Sequence, residues 1–264
     1  MSYKNKVIWI TGASSGIGEA LAYAFSKKGA KLILSSRRKE ALEEVMANCQ
    51  GDRDNIHILT LDLAQTESLP DKAEKAVNIY GSIDYLFNNG GISQRSVIME
   101  TQMDVIRKVM EVNFFGTVAL TKAVLPTMLE QGSGHIVVTS SVMGKFATRL
   151  RSTYAASKHA LHGWFDALRQ EMMDENIKVT LVCPGFIKTN VTLNALEGDG
   201  GKHNKMSTGQ QNGMDADVFA EKLLPKITKG QQEIYIGGKE IWGIYLKRFF
   251  PRLLQKMLSK VDVT

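Results

Sequence analysis

Val7-Ile8-Trp9-Ile10-Thr11-Gly12-Ala13-Ser14-Ser15-Gly16-Ile17-Gly18 is the stretch whose reading decides the architecture. A β-forming apolar run feeds a glycine-rich turn, and the turn opens a helical pattern over Ile17–Lys28. Glycines at 12, 16 and 18 permit positive φ and close backbone approach. The helix that follows offers unpaired N–H groups and the positive end of its dipole to an anion such as a pyrophosphate. Ser14 and Ser15 add hydroxyl donors in the same turn. A glycine pattern alone also fits a strand–helix turn that binds nothing, so the rest of the chain must carry the argument.

Outward from this turn, short apolar runs predict strands at Lys6–Ile10, Lys31–Ser35, Ile56–Leu61, Tyr85–Phe87, His135–Thr139, Lys178–Cys183 and Glu233–Ile236. Ile136-Val137-Val138 and Val179-Thr180-Leu181-Val182 are nearly continuous in apolar character, as strands covered on both faces are. Helical periodicity lies between them, at Lys39–Asn48, Thr66–Tyr80, Met103–Glu130, Thr153–Asp174 and Asp215–Thr228. The alternation predicts an α/β fold of Rossmann type, a doubly wound parallel seven-stranded sheet with helices on both faces. Residues 1–264 form a single domain in this reading, with ligands at the carboxyl ends of the strands. Asn190–Gly213, polar and with five glycines, reads as a mobile loop with little to bury.

Composition excludes several classes. With 264 residues, 44% apolar and 23% charged, the chain is neither collagenous nor disordered. No stretch reaches the roughly 20 apolar residues that cross a bilayer. Met1–Lys6 leads into too short an apolar run for a signal peptide, so a cytoplasmic location is expected. Cys49 and Cys183 cannot make a disulfide framework or a four-ligand structural zinc site, and no metal is expected. The net charge of +6 is local: between Lys239 and Lys260 six basic residues face one acidic residue, Glu240.

The second strand ends in Ser35-Ser36-Arg37-Arg38, where NAD sites usually place a carboxylate for the ribose 2′-hydroxyl. Two guanidinium groups there suit a 2′-phosphate, so NADP is expected over NAD. Tyr154 and Lys158 stand four residues apart on one helix face. A phenol ordinarily titrates near 10, and a neighbouring ammonium lowers that value toward useful acid–base chemistry. Such a pair is usually a surface contact. Ser141, just past a buried strand, is placed to donate to a substrate oxygen or simply to make a turn. Asn113 falls on the apolar side of its helix, as a satisfied core amide or as part of a buried network.

Taken together and in order, the Gly12–Gly18 loop, Asp62-Leu63, Asn88-Asn89-Gly90-Gly91, Asn113, Ser141, Tyr154 with Lys158, and Pro184-Gly185 with Thr189 resemble the short-chain dehydrogenase/reductase family. The text around Asn88–Ser96 and Lys158–Gly163 resembles its member 7 branch, with Gly90 where the family more often has alanine. The resemblance implies a catalytic set of Asn113, Ser141, Tyr154 and Lys158. Tyr154 would be the general acid/base, Ser141 would polarise the substrate oxygen, and Asn113 would anchor a water in a proton relay. Lys158 would hold the nicotinamide ribose and lower the Tyr154 pKa. For the cofactor it implies Gly12, Ser14, Ser15, Gly16, Ile17, Gly18, Arg37, Arg38, Asp62, Leu63, Asn89, Gly90, Tyr154, Lys158, Pro184, Gly185, Ile187 and Thr189. It also makes 190–213 a substrate lid and the helices Met103–Glu130 and Thr153–Asp174 the contacts of a homodimer or homotetramer.

The remaining feature is a basic amphipathic extension over 239–264. Trp242, Leu246, Phe249, Leu253 and Met257 recur at helical spacing among Lys247, Arg248, Arg252 and Lys256, and Pro251 starts a second short helix. Packing on the domain is the expected role, since amphipathicity is normal for surface helices. Contact with an anionic membrane is the alternative. Nucleic acid is not expected, because no binding module is recognisable. The reading is therefore an NADP(H)-dependent oxidoreductase that interconverts a carbonyl and an alcohol on a small, lipophilic substrate. Its alternative is a non-catalytic NADP(H) sensor or scaffold, peripheral to a membrane through its tail.

Overall fold

The computed structural model describes residues 3–260. Seven parallel strands lie in the order β3-β2-β1-β4-β5-β6-β7. They are β1 Val7–Thr11, β2 Lys31–Ser35, β3 Ile56–Ile58, β4 Tyr85–Asn88, β5 Gly134–Thr139, β6 Ile177–Pro184 and β7 Glu233–Ile236. The order reverses between β1 and β4, and a crevice opens there beyond the strand ends.

Each central strand serves two helical layers. Ile8 and Ile10 of β1 join the core under α1 (Gly16–Ser26), α2 (Lys39–Asn48) and α8 (Ala216–Thr228). Val7 and Trp9 join the opposite core, under α3 (Leu69–Tyr80), α5 (Gly116–Glu130) and α6 (Ser152–Glu171). This two-sided burial is why the strands carry no polar alternation. A polar tip inside, Trp9 Nε1, donates to Ser35 Oγ at 2.8 Å.

Four expectations need correction. The helix read over Met103–Glu130 is α4 (Met103–Met110), a π turn over Glu111–Phe115, and then α5. That continuous stretch is long and apolar enough to span a bilayer by those criteria, contrary to the composition reading. Here it is a core helix, with Val112, Leu120, Val124 and Met128 buried in the second core.

The Asn190–Gly213 segment is not bare of anchors. Thr192, Ala195, Leu196 and Gln210 are buried, Leu196 bridges to Gln94 and Lys202, and α7 spans Thr208–Gln211. Leu196 fills a small core with Val105 and Val109 of α4, so sparse but well-placed apolar residues hold the loop on the domain.

The tail forms α9 (Trp242–Phe249) and α10 (Pro251–Leu258), but its apolar faces are sorted differently from the sequence pattern. Ile244 and Leu254 pack on Val142 and Phe146, with Leu246 and Leu258 partly buried beside them. Trp242, Phe249, Leu253 and Met257 are largely exposed, Trp242 69% and Phe249 68%, and Trp242 and Met257 also line the crevice. Positions 261–264 of the extension lie outside the described residues.

Candidate active site

The phosphate turn owes its shape to its glycines. Gly12 sits at φ 65°, which side-chain-bearing residues rarely adopt. Gly18 has a different reason: a Cβ there would lie 2.2 Å from the Gly12 carbonyl oxygen. Beside the turn, Asn89 Nδ2 donates to the Thr11 carbonyl at 3.2 Å and its Oδ1 accepts from Thr139 Oγ1 at 3.2 Å. Asn89 therefore ties the ends of β1, β4 and β5 together. Gly90 leaves room for Leu63, whose Cδ1 would be 2.7 Å from an added Cβ. Arg38 Nη2 reaches to 3.4 Å from Ser14 Oγ and, with Arg37, lines the outer end of the crevice.

The crevice encloses about 1310 Å³ and runs from Arg37 to the tail. Of the residues expected to hold the cofactor, all but Gly18 line it, and so do Ser141, Tyr154 and Lys158. Gly18 and Asn113 stand behind its wall. The π turn swings Asn113 inward, where Oδ1 accepts from Ile92 N at 2.8 Å while Nδ2 donates to Ile92 O at 2.8 Å and Ser157 Oγ at 3.0 Å. These bonds hold the Gly91–Ile92 loop beside Lys158.

Ser141 accepts from Met143 N at 3.1 Å and hydrogen-bonds the Tyr154 phenol. Burial pushes the phenol above its ordinary value, against the pull of Ser141 and of the Arg151 guanidinium. The Arg151 guanidinium is a cation that favours the phenolate here. Lys158 Nζ donates to the Thr139 carbonyl at 2.7 Å and lies 5.8 Å from the Tyr154 ring centre. Burial pulls Lys158 itself down to about 8. Below this floor His162 Nε2 meets Ser140 Oγ at 3.0 Å, and its Nδ1 lies 3.0 Å from Glu233 Oε1. Glu233 also pairs with Lys145 and Tyr235, so His162, Cys183 and Glu233 are braced from within the protein.

The short chain dehydrogenase family profile matches residues 6–199, nearly the whole of the sheet that builds this crevice. The chain belongs to that family. A Drosophila melanogaster relative named "Dehydrogenase/reductase SDR family protein 7-like" is 43% identical over 260 residues, covering 97% of this chain and 80% of its own. A short-chain dehydrogenase structure from Streptomyces avermitilis superposes with TM-score 0.83 at 29% identity, covering 97% of each chain. Two further structures share the fold: one from Burkholderia phymatum in complex with NAD (22% identity, 100% and 98% covered, TM-score 0.82) and one from Burkholderia cenocepacia in complex with NADP (24%, 99% and 100%, 0.81). This short-chain dehydrogenase of the member 7 branch is thus an oxidoreductase of a family that binds NAD(P) and acts on small molecules.

Several residues that shape the short-chain dehydrogenase site carry no sequence signal. Arg95 and Arg151 line the crevice beside Tyr154 from loop positions. Gln210 of α7 is 7% exposed and lines the same crevice, with Nε2 3.5 Å from Thr189 Oγ1. Its Oε1 is buried without a hydrogen-bond partner. A glutamine in a polar loop looks like solvent-facing chain until the fold turns it inward.

Proposed function

We propose that this protein is an NADP(H)-dependent oxidoreductase that interconverts a carbonyl and an alcohol, with Tyr154 as general acid/base. The observation that carries the reading is the convergence of Ser141, Tyr154 and Lys158 on the crevice that the Gly12–Gly16 turn opens. The dinucleotide, when bound, supplies the hydride. The chain's own part is to bind, orient and move a proton. The Gly12–Gly18 turn and the start of α1 receive the pyrophosphate. Arg37 and Arg38, with no carboxylate among Ser35–Arg38, support NADP over NAD. Ser141 fixes the substrate oxygen beside the phenol, and Tyr154, protonated at neutral pH, gives it a proton in reduction and removes one in oxidation. Lys158 and Pro184–Thr189 hold the nicotinamide half, and 190–213 closes over the substrate and excludes water.

The same reading extends to assembly and place. A surface groove with Pro70, Phe115, Val118 and Ala119 supports self-association as a homodimer or homotetramer through α5. The outward aromatic face of α9 and α10, among basic residues, supports peripheral contact with an anionic membrane from the cytoplasmic side. Calorimetric titration with NADPH and then NADH at one salt concentration tests the core of the reading. Tight NADPH and weak NADH binding is expected, with Arg37→Ala weakening NADPH far more than NADH. Equal losses for the two cofactors would sink the 2′-phosphate assignment.

A further inference from the structure

Gln210 sits where a glutamine is costly to keep. It belongs to α7 within the 190–213 segment, is 7% exposed, and lines the crevice. Its Oε1 is buried and accepts no hydrogen bond among the described residues. Its Nε2 reaches Thr189 Oγ1 only at 3.5 Å, beyond the usual length of an N–H···O bond. A buried amide oxygen without a donor is unfavourable. An orphan of this kind beside a crevice marks a place where a ligand supplies the donor.

The backbone leaves the side chain little freedom to turn away. α7 is clamped on the 186–188 segment by close approach: a Cβ at Gly209 would lie 2.8 Å from the Phe186 ring, and one at Gly213 would lie 2.6 Å from the Phe186 carbonyl oxygen. Met214 N donates to that same carbonyl at 2.9 Å, and Lys188 N donates to the Met214 carbonyl at 2.9 Å. Gly213 N closes the turn on the Gln210 carbonyl at 3.1 Å. Position 210 is thus fixed against the chain that follows β6.

Thr189 shows which end of the crevice Gln210 faces. A Cβ at Gly16 would lie 2.9 Å from Thr189 Cγ2, so Thr189 stands against the phosphate turn. Gln210 therefore belongs between that turn and residues 184–187, where the nicotinamide half is expected, and not at the apolar end lined by Val142 and Leu254. The nicotinamide group carries N–H donors in its carboxamide and nowhere else. An amide N–H and an amide oxygen are matched partners.

We propose that Gln210 Oε1 accepts a hydrogen bond from the carboxamide N–H of the nicotinamide, so that α7 fastens the lid to the bound cofactor. This rests on the dinucleotide reading above and adds to it a residue from the lid, where the expected cofactor set comes from strand ends and the phosphate turn. Because the lid carries Gln210, the bond couples the position of 207–214 to an occupied nicotinamide site, and the cofactor rather than substrate alone draws the lid down.

Calorimetry on the full chain tests this without turnover. The probes are oxidised NADP and its 3-acetylpyridine analogue, in which a methyl group replaces the carboxamide nitrogen. The same pair is run in the NAD series, so that preference for the 2′-phosphate does not enter. The quantity read is the ratio of the two dissociation constants for the wild type, Gln210→Met and Gln210→Glu, with folding of each variant checked by thermal melting. The wild type is expected to bind the natural dinucleotide at least about tenfold more tightly than the analogue. Gln210→Met fills similar space without an acceptor, and its ratio should fall at least about fivefold because only the natural cofactor loses a partner. Gln210→Glu keeps an acceptor oxygen and should keep the ratio. A merely structural role for Gln210 would weaken both ligands alike and leave the ratio in place. A wild type that binds both ligands equally, a ratio unchanged in Gln210→Met, or a ratio lost to the same extent in Gln210→Glu would overturn the proposal while leaving the dinucleotide reading intact. Absence of heat with both natural dinucleotides would overturn that reading and this inference with it.

Discussion

Tyr154 is held as a neutral phenol by burial, and two groups, Ser141 and Arg151, pull the other way. That balance suits proton donation at neutral pH, so carbonyl reduction should be flat through the neutral range and fall only at alkaline pH. Alcohol oxidation, which needs the phenolate, should climb with pH over the same range. Tyr154→Phe should lower kcat by about 10²- to 10⁴-fold, the usual worth of a positioned acid–base group. NADPH affinity, read by titration, should stay within a few-fold; retained turnover would refute the assignment and return the sensor reading. Lys158 gives a second test through stability. Its folded value of about 8 lies below its ordinary 10.5, so above 8 the unfolded chain binds the proton that the folded chain has shed. Stability from this residue therefore rises with pH between those values, and at pH 7 the buried ammonium is a cost. Lys158→Met should raise stability at pH 7 by about 1–2 kcal/mol in denaturant melts while abolishing turnover. At this scale the sequence is legible where chemistry has a period: Tyr154 and Lys158 share a helix face, and Ser141 follows a buried strand. Arg95 and Arg151 are illegible because no spacing marks a loop arginine as part of a crevice wall.

The elements were easier to read than the residues between them. Lys31–Ser35, Lys39–Asn48 and Glu233–Ile236 coincide with their predicted bounds because strong apolar or helical patterns end there in polar residues. The π turn is different. Nothing in Glu111–Phe115 signals one extra residue per turn, and its justification is tertiary, the inward swing of Asn113 onto Ile92. β7 shows how an edge element is fixed by polar contacts. Glu233 is held well below its ordinary 4.5, to about 2, through hydrogen bonds from His162, Lys145 and Tyr235 that outweigh its partial burial. A depressed carboxylate stabilises the fold above its unfolded value and loses that contribution as pH falls from 4.5 toward 2. Because the group is partly exposed, the effect is modest: Glu233→Gln should cost about 1–3 kcal/mol at pH 7 and flatten the acid limb of the stability curve. An acid limb unchanged in the variant would show that Glu233 is not the titrating brace.

At the scale of the whole molecule, the tail decides what the crevice mouth faces. Ile244 and Leu254 are buried on Val142 and Phe146, so removing the tail would strip a core and confound any binding assay. The informative change is on the other face, where Trp242, Phe249 and Phe250 are 69%, 68% and 62% exposed. Aromatic side chains beside Lys247, Arg248, Arg252 and Lys256 match the headgroup region of an anionic bilayer, where rings sit at the interface and each cation near the surface adds about 1 kcal/mol. Trp242, Leu246 and Met257 belong to both the tail and the crevice wall. The triple variant Trp242→Ser, Phe249→Ser, Phe250→Ser leaves Ile244 and Leu254 in place and should melt near the wild-type temperature. The wild type should co-sediment with phosphatidylserine vesicles, less with neutral phosphatidylcholine, and progressively less as salt rises past the range where the Debye length is about 10 Å. The triple variant should lose most of that binding. A wild type that stays in the supernatant with every vesicle would remove the membrane from the account, and the exposed face would then belong to contact between copies of the chain, which light scattering before and after the triple substitution would show as a change in molar mass.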